Sequence, residues 1–300
     1  MIIDFLDNIL AKTAMAAGEA IDSLDKRTNN KDDEELKNLL NQADSSDLSI
    51  LVDHITDNGK GRSSLSSESC KRLISAKNNN DFTSDIKHLI YREIGLFGGN
   101  TLMNTVRVGA GVPYKEILCD VAKHLKVSFD KQSSTRDIEI DILYSILEKS
   151  VLEMSETEKQ ELLSQFSPTN AGKYASASGQ VTMAALQIAI KKSGFAAYKL
   201  AAIVANSISK AILGRGLTFA ATGTMMKTIS AFAGPIGWTI TGLWTLKDLS
   251  NPAYRVTIPC VIQIAFMRQK MLAKSLESGS ETKFDTADNN KFMNSLHDLF

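Results

Sequence analysis

Few residues in this chain could form a familiar chemical site. Only three of its 300 residues are cysteines, and Cys70, Cys119 and Cys260 are widely separated. This pattern excludes a disulfide framework and a closely spaced zinc motif, and it is typical of a protein from a reducing compartment. Five prolines and 18 glycines also exclude a fibrous or wholly disordered chain.

Histidine pairs and glycine-rich motifs are equally sparse. The four histidines are isolated from one another and from cysteine at the spacings that metal ligands need. Residues 108–111 lack the third glycine and the preceding strand of a phosphate loop, and residues 225–228 have methionine where a P-loop needs glycine. No serine lies in a nucleophile elbow. We therefore predict no catalytic residues, no metal ligands and no cofactor, in a protein that is not an enzyme.

The amino terminus lacks the positive charge of a secretory signal. Asp4 and Asp7 lie where that charge would be, and no small-residue cleavage site follows a clear apolar core. We therefore expect a protein that is not secreted.

Acidic residues are almost absent from one stretch of the chain. Residues 171–274 contain twelve Lys and Arg but a single acid, Asp248, and carry a net charge of +11; residues 1–170 carry −8 and residues 275–300 carry −3. This asymmetry predicts a partner of opposite charge: an anionic membrane surface, a nucleic acid, or the acidic part of the chain itself. Because the bases are spread singly among apolar residues, without an aromatic platform, nucleic acid is the least favoured partner.

Apolar residues recur at helical spacing along most of the chain, as they do over residues 86–94. We expect that helix to end at Gly98 or its neighbour, in the left-handed conformation that glycine allows. Ser134 and Ser155 are predicted to start further helices, and residues 57–69 are predicted to form a loop. The sequence therefore predicts an all-α protein.

Changes in composition divide the chain into four segments. We predict an amphipathic amino-terminal helix in residues 1–30, an acidic helical domain at 37–168, a basic Ala/Gly-rich helical domain at 178–273 and an acidic tail at 275–300. The opposite charges favour packing of the acidic domain on the basic one, and a trigger could separate them.

The basic domain includes the least polar stretch. Residues 228–246 carry no charge, but Gly234-Pro235 interrupts them. The two resulting arms, 217–233 and 236–246, would reach only about 25 Å and 17 Å at ~1.5 Å per residue, less than the ~30 Å core of a bilayer. The sequence predicts an apolar helical hairpin, which is either buried in soluble protein or lies on or enters a membrane.

Several segments resemble a known family. The sharpest is residues 253–259, AYRVTIP; the others include Asn58-Gly59-Lys60-Gly61, residues 97–126 and Gly234-Pro235-Ile236-Gly237. They are similar to segments of the YaaW-like family of uncharacterised bacterial proteins, which is loosely linked to the ubiquinol–cytochrome c chaperone group. The resemblance covers about residues 40 to 270. It implies a helical protein that helps to assemble a membrane respiratory complex, and it brings no catalytic residues.

Arg255 is the notable charge in the sharpest of these segments, because a lone buried arginine would need a carboxylate such as Asp120 or a phosphate as its partner. The candidates for contact with a partner or a lipid phosphate are Arg255, Tyr254, Asn104, Arg107, Asp120 and Lys123. The candidates for membrane contact are Leu217, Phe219, Phe232, Ile236, Trp238 and Trp244.

Two hypotheses of function follow. The leading one is a non-enzymatic helical protein that acts at or in the bacterial inner membrane, as a conditional membrane-inserting effector with an anionic membrane surface as its partner. The alternative is a soluble chaperone or assembly factor that binds another protein. A homo-oligomer is compatible with both, and we expect the protein in the cytoplasm or at the cytoplasmic face of the inner membrane. Nucleic-acid binding and an enzyme with an unrecognised site are the least favoured.

Overall fold

The computed structural model describes residues 31–98, 111–166, 183, 184, 186, 194–217, 232–245 and 253–277. Within these residues every regular element is an α-helix, which confirms the predicted fold class. The helices are α1 (Lys31–Gln42), α2 (Ser45–Thr56), α3 (Ser67–Asn79), α4 (Ser84–Gly98), α5 (Tyr114–His124), α6 (Thr135–Leu152), α7 (Glu156–Phe166), α8 (Gly194–Leu213), α9 (Ala233–Thr245) and α10 (Tyr254–Glu277).

Side-chain caps fix the start of several helices. The N–H of Asp137 donates to the Ser134 hydroxyl at 3.2 Å, ahead of α6. Ser155 and Glu158 exchange bonds before α7, with each side chain accepting the other residue's N–H. Both starts were predicted. The predicted loop at 57–69 is too long, because the Ser66 hydroxyl accepts the N–H of Ser69 and α3 begins at Ser67.

A left-handed stop was predicted at Gly98 or its neighbour; Gly99 lies outside the described residues, and Gly98 ends α4 without such a conformation. It is not among the described glycines with positive φ, which are Gly59, Gly61 and Gly214. A Cβ at Gly98 would lie 2.4 Å from Ile117 Cγ1 and 2.9 Å from Val112 Cγ2. At Gly98 itself, glycine is needed because α4 and α5 approach closely.

Helix α10 lies at the centre of the fold. It packs against α2, α4, α5, α6 and α8, and nearly all its residues from Val256 to Met267 are buried. One hydrophobic cluster includes residues from both sides of the predicted domain boundary, from Leu36 to Ala273. The division into domains stays a prediction, and the predicted amino-terminal helix in 1–30 and the tail beyond residue 277 lie outside the described residues.

The predicted apolar hairpin is described only partially. Gly234 and Pro235 lie in the first turn of α9, where proline fits because its missing N–H has no helical partner. Helix α9 packs against α8 and α6. The other arm, residues 218–231, lies outside the described residues.

Candidate functional site

Tyr254 and Arg255, the charged motif singled out in the sequence, lie in the first turn of α10. The Tyr254 ring stacks on His124, with ring centroids 3.9 Å apart. Tyr254 and Asp120 line the same shallow depression, but Asp120 pairs with Lys123 at 3.2 Å. Arg255 is exposed, and no described ion pair joins it to Asp120. The other two candidates of this group, Asn104 and Arg107, lie outside the described residues.

Lys123 also borders an open groove of about 430 Å³ along α5. Lys115, Lys123 and Lys131 share its lining with Glu116 and Asp120, so its charge is mixed. Burial raises the pKa of the Cys119 thiol in this groove, and a thiol of raised pKa is a poor nucleophile at neutral pH.

The basic residues of α10 pair with carboxylates from the acidic segment. Arg268 Nε and Nη2 donate to the buried Glu139 at 2.8 Å and 3.2 Å, and the Tyr114 hydroxyl donates to the same carboxylate at 2.8 Å. Burial alone would lower the pKa of Arg268, but the contact with Glu139 raises it. Arg268 is therefore firmly ionised, and α6 is joined to α10 by a fully paired buried charge.

A second set of ion pairs joins α10 to the start of α2. Lys270 Nζ lies 2.7 Å from Asp47 and 2.8 Å from Asp44, and Lys274 lies 3.2 Å from Asp44. Burial opposes a charged Lys270, yet its bonds to Asp44 and Asp47 raise its pKa. Burial raises the pKa of Asp47, although its contact with Lys270 acts to lower it.

Cations gather at the other end of α2. The buried Asp53 carboxylate accepts hydrogen bonds from Lys77 of α3 and from Arg215, which follows α8. Arg62 Nε and Nη2 donate to the carbonyls of Ile55 and His54 at 3.2 Å and 3.1 Å. Arg62 thereby satisfies two of the carbonyl groups that the end of a helix leaves without partners.

Trp238 is the most exposed large apolar residue of the described chain, with 80% of its surface accessible. It lies on α9, which contains no charged residue. Ile236 and Gly237 face inward, and a Cβ at Gly237 would lie 3.5 Å from Ala211 of α8. The exposed positions Gly234, Trp238 and Gly242 follow at intervals of four and so share one face.

The remaining candidates for membrane contact are covered by protein where they are described. Leu217, Phe232 and Ile236 are buried, whereas Phe219 and the side chain of Trp244 lie outside the described residues. Among the described helices, a single segment, Phe195–Leu213, is long and apolar enough to cross a membrane, and 78% of it is buried inside the protein. By length and composition a core helix of a soluble protein meets the same criterion.

Comparisons with known proteins identify the family. A family model described as ubiquinol-cytochrome C chaperone matches residues 83–263. A UPF0174 protein of Helicobacter pylori strain J99 is 39% identical over 231 residues, which cover 77% of this chain and 89% of the relative. The UPF0174 protein YaaW of Escherichia coli K12 is 30% identical over 221 residues, which cover 73% and 87%. The chain belongs to the YaaW-like family. No solved structure matches it significantly.

The family match and the names of the relatives are consistent with a non-enzymatic helical protein, and the description as a chaperone suggests a protein partner in general. The matched region of this YaaW-like protein runs from α4 into α10 and includes Trp238, Glu139 and Arg255. It ends before Arg268, Lys270 and Lys274, whose ion pairs hold the carboxyl-terminal half of α10.

The residues predicted from the sequence of this YaaW-like protein did not include the group at the end of α2, which consists of Asp53, His54 and Arg62. A signal for them does exist, because Arg62 directly follows the Asn58-Gly59-Lys60-Gly61 motif that carries some of the family resemblance. Burial lowers the pKa of Arg62, and the positive charge of Arg255 in the 253–259 motif acts in the same direction.

Proposed function

We propose that this protein is a non-enzymatic, chaperone-like protein that binds an apolar helical segment of another protein on the outer face of α9. The observation that carries the proposal is Trp238, an exposed tryptophan on a helix without charge. The family description as a chaperone supports a protein partner in general.

The outer face of α9 has the composition of a contact surface. A surface helix usually presents charged or polar side chains to water. The exposed face of α9 instead presents Gly234, Trp238 and Gly242. Apart from the backbone of α9 itself, no described atom lies within 4 Å of a Cβ built at either glycine. The two glycines let another helix approach closely beside Trp238, and tryptophan is enriched among the residues that dominate binding energy.

A second candidate function is conditional contact with an anionic membrane, which the same tryptophan favours because its ring suits a membrane interface. In this conformation α8 is mostly buried, so a spanning role would first require its release from the core. For both candidates we propose action in the cytoplasm or at the cytoplasmic face of the inner membrane, consistent with the three free cysteines.

Fluorescence anisotropy of a labelled synthetic apolar helical peptide tests the first proposal. The full-length protein should bind the peptide, and Trp238→Ser should weaken the dissociation constant by about tenfold or more, the loss typical of a central interface tryptophan. Leu152→Ser is the matched control, because Leu152 is also exposed, at 66%, but lies on α6.

The proposal is wrong if the peptide does not bind, or if the two variants weaken binding equally. Flotation with vesicles of phosphatidylglycerol distinguishes the two candidate functions. Flotation that is lost in Trp238→Ser, without peptide binding, would favour the membrane function.

Analytical ultracentrifugation of the same variants shows whether the outer face of α9 also joins two copies of the chain. In that case Trp238→Ser would shift the protein to monomer.

A further inference from the structure

The carboxyl end of α8 lies beside the exposed face of α9, and two contacts fix how the helices are aligned. The Ser207 hydroxyl of α8 donates to the carbonyl of Phe232, which precedes α9, at 3.4 Å. Further along, a Cβ at Gly237 would lie 3.5 Å from the Cβ of Ala211. Residue numbers rise in the same direction along both helices, from 207 to 211 and from 232 to 237. The last turn of α8 therefore lies level with the turn of α9 that carries Trp238.

Lys210 is the cation at this position. It lies in the last turn of α8, is exposed, and directly precedes Ala211. Because Gly237 lies against Ala211 and consecutive Cα atoms are ~3.8 Å apart, the Cα atoms of Lys210 and Trp238 are at most about 14 Å apart. An α-helix is about 10–12 Å wide with its side chains, so one helix packed against Trp238 can also reach Lys210.

No carboxylate among the described residues pairs with Lys210. Helices α8 and α9 contain no acid, and no acid of α6, which also packs against α9, is in an ion pair with this lysine. Arg215, the next cation along the chain, pairs instead with the buried Asp53. The surface at this end of α8 therefore presents one unmatched positive charge beside an exposed aromatic side chain.

We propose that the helix bound by α9 carries a carboxylate that pairs with Lys210, at the edge of the apolar face that packs against Trp238. This inference rests on the proposed binding of a helix to α9 and names the charge of that helix. Burial of Trp238 would supply affinity, whereas an ion pair at the edge of the contact selects the partner and fixes its alignment. A single unmatched lysine suits a single acidic side chain, since segments that bind anionic lipid usually cluster about four to eight basic residues.

Fluorescence anisotropy with matched labelled peptides tests the ion pair. The peptides form the same apolar helix and differ at one position, which holds Glu, Gln or Lys. Two series place that position on one edge or the other of the apolar face, so that a helix bound in either direction is tested. In one series the full-length protein should bind the Glu peptide about threefold to fivefold more tightly than the Gln peptide, as expected for an ion pair at a rim. About 0.5 M salt should remove most of this difference.

Substitutions of Lys210 identify the residue that gives the preference. Lys210→Gln should abolish the preference for Glu, and Lys210→Glu should reverse it, so that the Lys peptide binds most tightly. Lys71→Gln is the matched control, because Lys71 is an exposed lysine of α3 and its removal changes the net charge by the same amount. This control should keep the preference for Glu.

Several outcomes would contradict the ion pair. Equal binding of the three peptides in both series, or a preference for Glu that survives in Lys210→Gln, overturns it and leaves peptide binding on α9 intact. A preference that Lys71→Gln removes equally also overturns it, because overall charge then explains the effect. Absence of binding by every peptide overturns both proposals. Flotation with phosphatidylglycerol vesicles that is lost in Lys210→Gln, without preference among the peptides, would assign the lysine to an anionic membrane instead.

Discussion

At the scale of single residues, Asp141 lies in an environment that disfavours its ionised form. It lies on α6, half-buried and one turn after Asp137. Burial and the negative charge of Asp137 raise its pKa to about 6, from an ordinary value near 3.8. The folded protein therefore binds a proton at the Asp141 carboxyl group more tightly than the unfolded chain does. The contribution of Asp141 to stability is therefore greatest below its ordinary pKa, and it is lost as pH rises through about 6.

Asp141→Asn should therefore stabilise the protein at neutral pH. We expect a gain of about 1–2 kcal/mol in the free energy of unfolding at about pH 7, after allowance for solvent screening, and little difference below about pH 4. Urea unfolding followed by circular dichroism at both pH values measures it. Glu153→Gln, at an exposed position directly after α6, should change little at either pH. Equal stability of Asp141→Asn and the parent at neutral pH would contradict the pKa shift.

Buried charged residues were the hardest to anticipate from sequence. Glu139 lies between two isoleucines in a helical pattern, which shows that its position faces the core side of α6. Nothing nearby identifies its partner, because Arg268 is 129 residues away and reaches it only through the packing of α10 on α6. For Arg255, the sequence suggested burial beside an acid such as Asp120. In the folded chain Arg255 is exposed.

At the scale of helices, local signals predicted several starts, whereas the glycine at the end of α4 is explained by a tertiary contact. The Ser134 and Ser155 caps involve residues three apart, so their patterns are visible in sequence. The role of Gly98 depends on Ile117, which belongs to the next helix. A glycine needed for space cannot be distinguished in sequence from one needed for a left-handed turn.

Two alanine substitutions test whether a helical glycine is needed for space. Gly98→Ala should destabilise the protein by about 1–3 kcal/mol, because its Cβ would overlap Ile117 and Val112. Gly242→Ala, inside α9 where no described residue outside the helix lies near the new Cβ, should stabilise it by about 0.5–1 kcal/mol through helix propensity. Chemical denaturation of the two variants beside the parent gives both values. A neutral Gly98→Ala would show that α4 and α5 can separate without cost.

At the scale of the whole molecule, the charge asymmetry of the sequence has a physical counterpart. The basic segment contributes Arg215, Arg268 and Lys270, and each pairs with a carboxylate that precedes residue 140. Composition alone indicates that the basic segment needs acids from elsewhere. It does not indicate which acids these are, because each pair forms only when the helices pack.

Ion pairs and one shared hydrophobic cluster join the described helices, so we expect them to unfold as a single cooperative unit. The two halves of the chain should therefore unfold together in urea, with one transition by far-UV circular dichroism. Cys260 offers an independent probe, because it is buried in α10 and burial raises its pKa to about 12, which keeps the folded thiol unreactive.

In a variant with Cys70→Ser and Cys119→Ser, maleimide labelling of Cys260 should begin at the same urea concentration as the loss of ellipticity. Labelling of the same variant without urea is the control and should be slow. If Cys260 reacts well before the helices melt, α10 leaves the acidic helices as a separate step. That result would fit two domains that a trigger can separate, and it would favour the conditional membrane function over a permanently closed chaperone.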